Sequence, residues 1–225
     1  MIVALTRELG HNDALRTWLG ADVDVREVPL TETHFLEHET VAHELASLEN
    51  YGRFASLVIT SARASEYLDL ALAALGNDAD VFSVGPATSQ VLVAHGVTPR
   101  AQSSSRALEL APLIVKDPVL FLGASQAREE LADDLSARGY DVALVACYET
   151  LPVTLSDHDA AVLHDADVVL IGAPSAWAVA RELVNPSTWV IVPGVTTGDV
   201  VRSDHERVLE GWGPALGDVV NSLAP

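Results

Sequence analysis

The sequence has one cysteine, Cys147, among 225 residues, which rules out an intramolecular disulfide and any CxxC metal site. Positive charge is scarce as well. Thirteen Lys and Arg stand against 32 Asp and Glu, for a net charge of -19. Nucleic acid, which is gripped through clustered basic residues, is therefore not an expected partner. No apolar run approaches the ~18 residues of a membrane span. The amino-terminal MIVALTRELG lacks the basic leader, apolar block and small-residue cleavage site of a secretory signal. These absences together predict a cytoplasmic protein with no membrane partner. GxGxxG, Walker and GxSxG sequences are missing too, so nothing supports a nucleotide cofactor or a serine nucleophile elbow.

What is present is a regular alternation. The hydrophobic fraction of 49% fits a globular chain, and the length suits two small domains. Short runs rich in Val, Ile and Leu predict strands at 2–6, 22–30, 56–60, 80–84, 97–101, 119–122, 141–150, 167–171 and 189–192. Helical patterns cover 12–19, 31–49, the stretch from 61 through Leu75, a segment starting near Pro86, 105–115, 126–138, 156–164, 175–183, 196–201 and 214–223. Strands that read as continuous apolar runs are buried on both faces. Their alternation with helices predicts an α/β protein with parallel sheets and right-handed crossovers.

Three unit types recur. The first is strand, polar turn, helix, Gly, strand, at VALTRELGHNDALRTWLGADVDVREVP from Val3 and VLFLGASQAREELADDLSARGYDVALVACYETLP from Val119. The second is a strand ending in small polar residues, LVITSARAS at Leu57 and VVLIGAPSA at Val168. The third is a strand leading to Gly and Thr at a helix start, FSVGPATSQVL at Phe82 and VIVPGVTTGDVV at Val190. A tandem duplication with one crossing near Lys116 would give this order. So would two circularly permuted lobes. Both copies of the first unit end in a long strand containing proline, Val28-Pro29-Leu30 and Glu149-Thr150-Leu151-Pro152, and proline marks a sheet edge or exit. The expected organisation is thus two similar three-layer lobes joined by two extended linker strands. One lobe is residues 1–30 with 151–225, the other is 31–146, with linkers near 28–33 and 147–153 and a ligand cleft between.

Open parallel sheets bind ligands at the carboxyl ends of their strands. The candidates there are Thr6 and Arg7; Thr60, Ser61 and Arg63; Gly85 and Thr88; Ser125 with Arg128; Ser175; and Thr196 and Thr197. Free N–H groups at helix starts suit carboxylate or phosphate. Each turn alone is an ordinary cap; their repetition across both lobes points to an anion-binding cleft. His34 and His38 stand at i and i+4 on one predicted helix, where a solvated charged face is the expected reading and zinc is not. Cys147 is expected to pack as a small hydrophobe. Tyr148 lies in the predicted return linker. It reads either as a strand tyrosine with a half-buried ring or as a neutral proton donor facing the cleft.

LTR at Leu5–Arg7, ITSARA at Ile59–Ala64, VGPATSQVL at Val84–Leu92, the stretch from Ala127 to Val142, YET at Tyr148–Thr150, APSA at Ala173–Ala176 and GVTT at Gly194–Thr197 occur in the order of one family. The chain resembles uroporphyrinogen-III synthase. The resemblance implies a twice-crossed, two-lobed fold in a cofactor-independent monomer. It also implies a lyase that cyclises the linear tetrapyrrole hydroxymethylbilane, with loss of water and inversion of the last pyrrole ring. Tyr148 would then donate to the departing hydroxyl, which leaves a resonance-stabilised azafulvene cation. Ser61, Arg63, Thr88, Ser175, Thr196 and Thr197 would lie around the substrate. Because the substrate closes spontaneously without inversion, the enzyme's work would be to hold one folded conformation. Ala173 stands where the family commonly has serine and Val195 where proline is usual. These departures motivate the alternative, a non-catalytic two-lobed binding or regulatory protein of the same fold.

Overall fold

The computed structural model describes residues 1–20, 23–104, 106–126 and 130–223. It divides the chain into two compact units, 1–33 with 151–225 and 34–150.

In the first unit, β1 (Ile2–Leu5), β2 (Asp24–Glu27), β9 (Val168–Leu170), β10 (Trp189–Val192) and β11 (Val208–Glu210) form one sheet in the order β11-β10-β9-β1-β2. Its pairings are parallel. Side chains alternate between faces, as the period of two requires. Ala4, Val169, Val190 and Val192 pack with helices α6 (Asp157–Asp165), α7 (Pro174–Ala180) and α8 (Val195–Arg202). Val3, Leu5, Val168, Leu170 and Ile191 pack with α1 (Asp13–Leu19) and α9 (Leu216–Asn221). Both faces are covered, which is why these strands read as unbroken apolar runs.

In the second unit, β3 (Thr31–Phe35), β4 (Phe54–Ile59), β5 (Leu75–Val84), β6 (Ala101–Ser103), β7 (Val119–Ala124) and β8 (Val142–Pro152) take the order β3-β8-β7-β4-β5-β6. The pairings from β8 through β6 are parallel. Leu57, Ile59, Leu120 and Leu122 face α2 (His38–Ser47), α3 (Leu68–Ala73), the 3-10 turn Ala62–Tyr67 and Leu92 of α4 (Pro86–Ala94). Val58, Val119 and Phe121 face α5 (Glu130–Ala137) and the segment around Leu110. Mapped onto the three repeat units, the two sheets have the same strand order: β11-β10-β9-β1-β2 corresponds to β6-β5-β4-β7-β8. Strands β3 and β8 each run past a unit boundary. They are tied by the Leu36 N–H donating to the Cys147 carbonyl (2.9 Å) in one unit and the Val153 N–H donating to the Leu30 carbonyl (3.0 Å) in the other.

Four local expectations are corrected. The helix expected over 31–49 is a strand, β3, followed by α2 from His38. Thr31, Thr33 and Phe35 alternate in a strand register that pairing with β8 makes decisive. His34 therefore lies on β3, apart from the helix that His38 begins. The strand expected at 97–101 begins at Ala101, and the helix expected over 105–115 is a 3-10 turn at Ala107–Leu110. The helix expected through Leu75 stops at Ala73, because β5 starts at Leu75 beside Phe54. Strand β11 was not expected; three residues are too few to show a period. Ala127, Arg128 and Glu129, with the expected anion ligand among them, lie outside the described residues, as do Asp22 and Ser105.

Candidate functional site

Along adjacent strands β8, β7, β4 and β5, the second unit gathers seven of the candidate residues at one sheet edge. Tyr148 closes the β7–β8 pairing opposite Ala124, where the register shifts by a bulge. Ser125 follows β7, and its N–H donates to the Tyr148 carbonyl (2.8 Å). Thr60, Ser61 and Arg63 follow β4, and Gly85 and Thr88 follow β5. The first unit does the same along β1, β9 and β10 with Thr6 and Arg7, Ser175, and Thr196 and Thr197.

The threonines divide by role. Thr6 is buried, and its hydroxyl donates to the Leu170 carbonyl (2.5 Å), tying β1 to β9. Thr60 repeats the device by donating to the Leu122 carbonyl (3.2 Å), which ties β4 to β7. Both hydrogen bonds hold the sheet, and each leaves the hydroxyl oxygen able to accept. Thr88 and Thr197 are buried in the first turns of α4 and α8. Each is the third residue after a glycine, Gly85 or Gly194. Among the described residues their hydroxyls have no hydrogen-bond partner. Gly85 has φ +80°, a backbone that an L side chain rarely adopts, and Pro86 then starts the helix where its missing N–H costs nothing. Ser61 caps its 3-10 turn, accepting from the Arg63 N–H (3.3 Å). Ser125, Ser175 and Thr196 are exposed. Arg7 and Arg63 are partly buried, and both are engaged by other groups.

Tyr148 is 5% exposed and belongs to the core of its unit, so its ring is more buried than a half-covered strand tyrosine. Among the described residues its hydroxyl makes no hydrogen bond. Its ring centroid lies 6.1 Å from that of Phe35, at 52°. Phe35 is in turn 6.5 Å from Tyr67, and the Tyr67 hydroxyl donates to the Leu36 carbonyl. Burial raises the Tyr67 hydroxyl above the ordinary range, with the nearby Cys147, Glu66 and Glu37 adding to the effect. Beside Tyr148, burial pushes the Cys147 thiol up to about 12; Glu44 adds to this and the Gly123 N–H opposes it. Such a thiol is neutral at physiological pH and packs as a small hydrophobe. Burial also raises the Glu44 carboxyl. That carboxyl lines a cavity of about 170 Å³ with Thr60, Gly123, Ala124 and Ser125.

A larger cavity, about 620 Å³, opens at the opposite edge of the first unit's sheet, among His164, Asp167, Thr188, Trp189 and Arg207. None of the candidate residues reaches it. Among the described residues no group of three or more His, Cys, Asp or Glu is placed to hold a metal, and no helix is long and apolar enough to cross a membrane. Reading the sequence missed Phe35 and Tyr67, because the helical period of α2 was extended back over β3. The alternation Thr31-Glu32-Thr33-His34-Phe35 was the available signal.

The family model described as uroporphyrinogen-III synthase HemD matches residues 18–203. No curated protein matches the chain significantly. Among solved structures, a mutant uroporphyrinogen III synthase from the extremely thermophilic bacterium Thermus thermophilus superposes with a TM-score of 0.68 at 16% identity, covering 98% of this chain and 96% of the other. Uroporphyrinogen-III synthetase from Helicobacter pylori gives 0.64 at 17% identity, covering 99% of each chain. At such identity the likeness is one of fold.

Proposed function

The chain belongs to the uroporphyrinogen-III synthase family, and from that premise we infer how its residues divide the work. The reaction is the cyclisation of hydroxymethylbilane to uroporphyrinogen III, with loss of water and inversion of the last pyrrole ring; the enzyme is a lyase of porphyrin and heme biosynthesis. Tyr148 is the donor to the departing hydroxyl. The observation that carries this assignment is its placement: it ends the β7–β8 pairing at the carboxyl edge, with a hydroxyl that no described protein group engages. A neutral phenol there can give its proton to the leaving oxygen and recover one when the newly joined ring loses its own. Its buried ring fixes the hydroxyl's position, which serves an orientational task.

Thr60, Ser61, Arg63, Gly85, Thr88 and Ser125, which follow strands of the same sheet as that tyrosine, are its companion substrate contacts, and Thr6, Arg7, Ser175, Thr196 and Thr197 supply the equivalent set on the first unit. Hydroxyls and helix-start N–H groups suit the substrate's carboxylates, a useful property in a chain with a net charge of -19, where fixed dipoles must offset a repulsive field. The same reading makes the enzyme a cytoplasmic, cofactor-independent monomer, in keeping with its single cysteine.

The test is a coupled assay that generates hydroxymethylbilane in situ and separates the III and I isomers of the product. The wild-type protein is expected to give isomer III. Tyr148→Phe is expected to lose about a hundredfold or more in turnover with its melting temperature nearly unchanged, since no hydrogen bond is lost. A variant that melts much earlier yet turns over well would make Tyr148 a packing residue.

A further inference from the structure

We propose that Phe35 supplies the aromatic face that holds the cationic intermediate of this reaction, an inference that rests on the assignment of Tyr148 to the departing hydroxyl. The chain has four each of Phe, Tyr and Trp, and Phe35 is the one that stands exposed, at 48%. An apolar ring left in water forgoes the burial energy that the others gain. This ring is left there in contact with Tyr148, 6.1 Å between centroids.

Its position is fixed from two sides. The next residue, Leu36, accepts through its carbonyl from the hydroxyl of Tyr67, which is 1% exposed. The Leu36 N–H donates to the carbonyl of Cys147, the residue before Tyr148 (2.9 Å). The backbone that carries Phe35 is thereby tied both to the packed 3-10 turn and to the strand of the proton donor. An exposed ring on a mobile loop could not be held in register with a reacting group; this one is.

The chemistry calls for such a face. When the C–O bond of the hydroxymethyl group breaks, its electron pair leaves with the oxygen, which takes a proton and departs as water. The pyrrole nitrogen lone pair fills the deficit, and a positive charge spreads over the ring and the exocyclic carbon. The last pyrrole ring then attacks that exocyclic carbon through the ring carbon that already carries its bridge to the neighbouring pyrrole. The bridge bond breaks and leaves the positive charge on the bridge carbon and its pyrrole. The free α-carbon of the inverted ring closes on that carbon and loses its proton. A benzene ring takes no part in these proton transfers, but its negative π-face attracts a delocalised cation more than it attracts the uncharged pyrrole from which that cation forms. The attraction therefore acts on kcat more than on KM.

Three measurements decide it. Phe35→Leu keeps an apolar side chain and loses the π-face. It is expected to lower kcat about five- to thirtyfold with KM within about twofold, and Phe35→Trp is expected to restore kcat. Replacement of Phe35 by mono-, di- and trifluorophenylalanine keeps the shape of the ring while draining its face of charge, and kcat is expected to fall with each fluorine. Equal kcat across the fluorinated series, or wild-type kcat in Phe35→Leu, would overturn the proposal. Tyr148→Phe is assayed beside them to separate the two readings. Loss of turnover in Tyr148→Phe with full turnover in Phe35→Leu ends only the role of Phe35. Full turnover in Tyr148→Phe ends the Tyr148 reading and this inference with it.

Discussion

The hydroxyl of Thr60 fills the space that a side chain at Gly123 would need: a Cβ built on Gly123 would overlap Thr60 Oγ1. Gly123 lies on β7 and Thr60 follows β4, its partner in the sheet. The glycine is what lets the threonine turn inward and donate to the Leu122 carbonyl at the candidate site's edge.

Gly123→Ala is expected to destabilise the protein by about 1–3 kcal/mol, the usual cost of forcing atoms into a packed site. Thr60→Ala removes the obstructing oxygen. The double variant is expected to be more stable than Gly123→Ala alone, a non-additivity that marks a direct contact. Urea denaturation of the four proteins measures it; strict additivity would mean that the clash is relieved elsewhere.

Thr6→Val and Thr60→Val remove hydroxyls that tie neighbouring strands, but their costs are expected to differ. The Leu122 carbonyl keeps a second donor, the Thr60 N–H at 3.1 Å, so Thr60→Val is expected to cost about 0.5–1.5 kcal/mol. Thr6 is buried and is the side-chain donor to the Leu170 carbonyl. Losing it is expected to cost more, up to about 3 kcal/mol, because the bond it removes is fully buried whereas that of Thr60 is partly exposed. Thermal melts of the two variants give the order, and the reverse order would contradict this account.

The Cys147 thiol sets an alkaline limit on stability. Burial raises it from 9.0 in the reference state to about 12, so the folded protein keeps a proton that the unfolded chain releases. Its contribution is whole below pH 9.0 and is lost as pH climbs from there towards about 12, with a limiting slope of ~1.4 kcal/mol per pH unit. Cys147→Ala is expected to flatten this fall. Urea midpoints of both proteins at about pH 8 and about pH 10.5, on either side of the unfolded thiol's titration, check it. So does a native thiol that resists alkylation in the first of these buffers and reacts once unfolded.

The α/β class, the parallel sheets and most elements were legible because each rests on a local signal. Val3, Ala4 and Leu5 are apolar in succession since both faces of β1 are covered, and Pro86 and Ser156 mark helix starts by their own backbone chemistry. The repeat of three unit types was legible for the same reason, since each unit carries its own turn. What failed was short or borrowed its conformation from a neighbour. β11 has three residues, and β3 is a strand because β8 lies beside it.

The sequence by itself determined where the polar turns fall, and hence that Thr6, Thr60, Thr88, Ser125 and Thr197 end strands or open helices. Only the tertiary structure decided what each of those groups is used for. Thr6 and Thr60 look alike at the end of an apolar run, and pairing with β9 and β7 turned both hydroxyls onto neighbouring carbonyls. Tyr148 and Phe35 are 113 residues apart in the chain, and no local pattern could bring their rings together. Hydrophobic period is a property of consecutive residues, whereas the partner of a hydroxyl or a ring is set by which strand packs alongside.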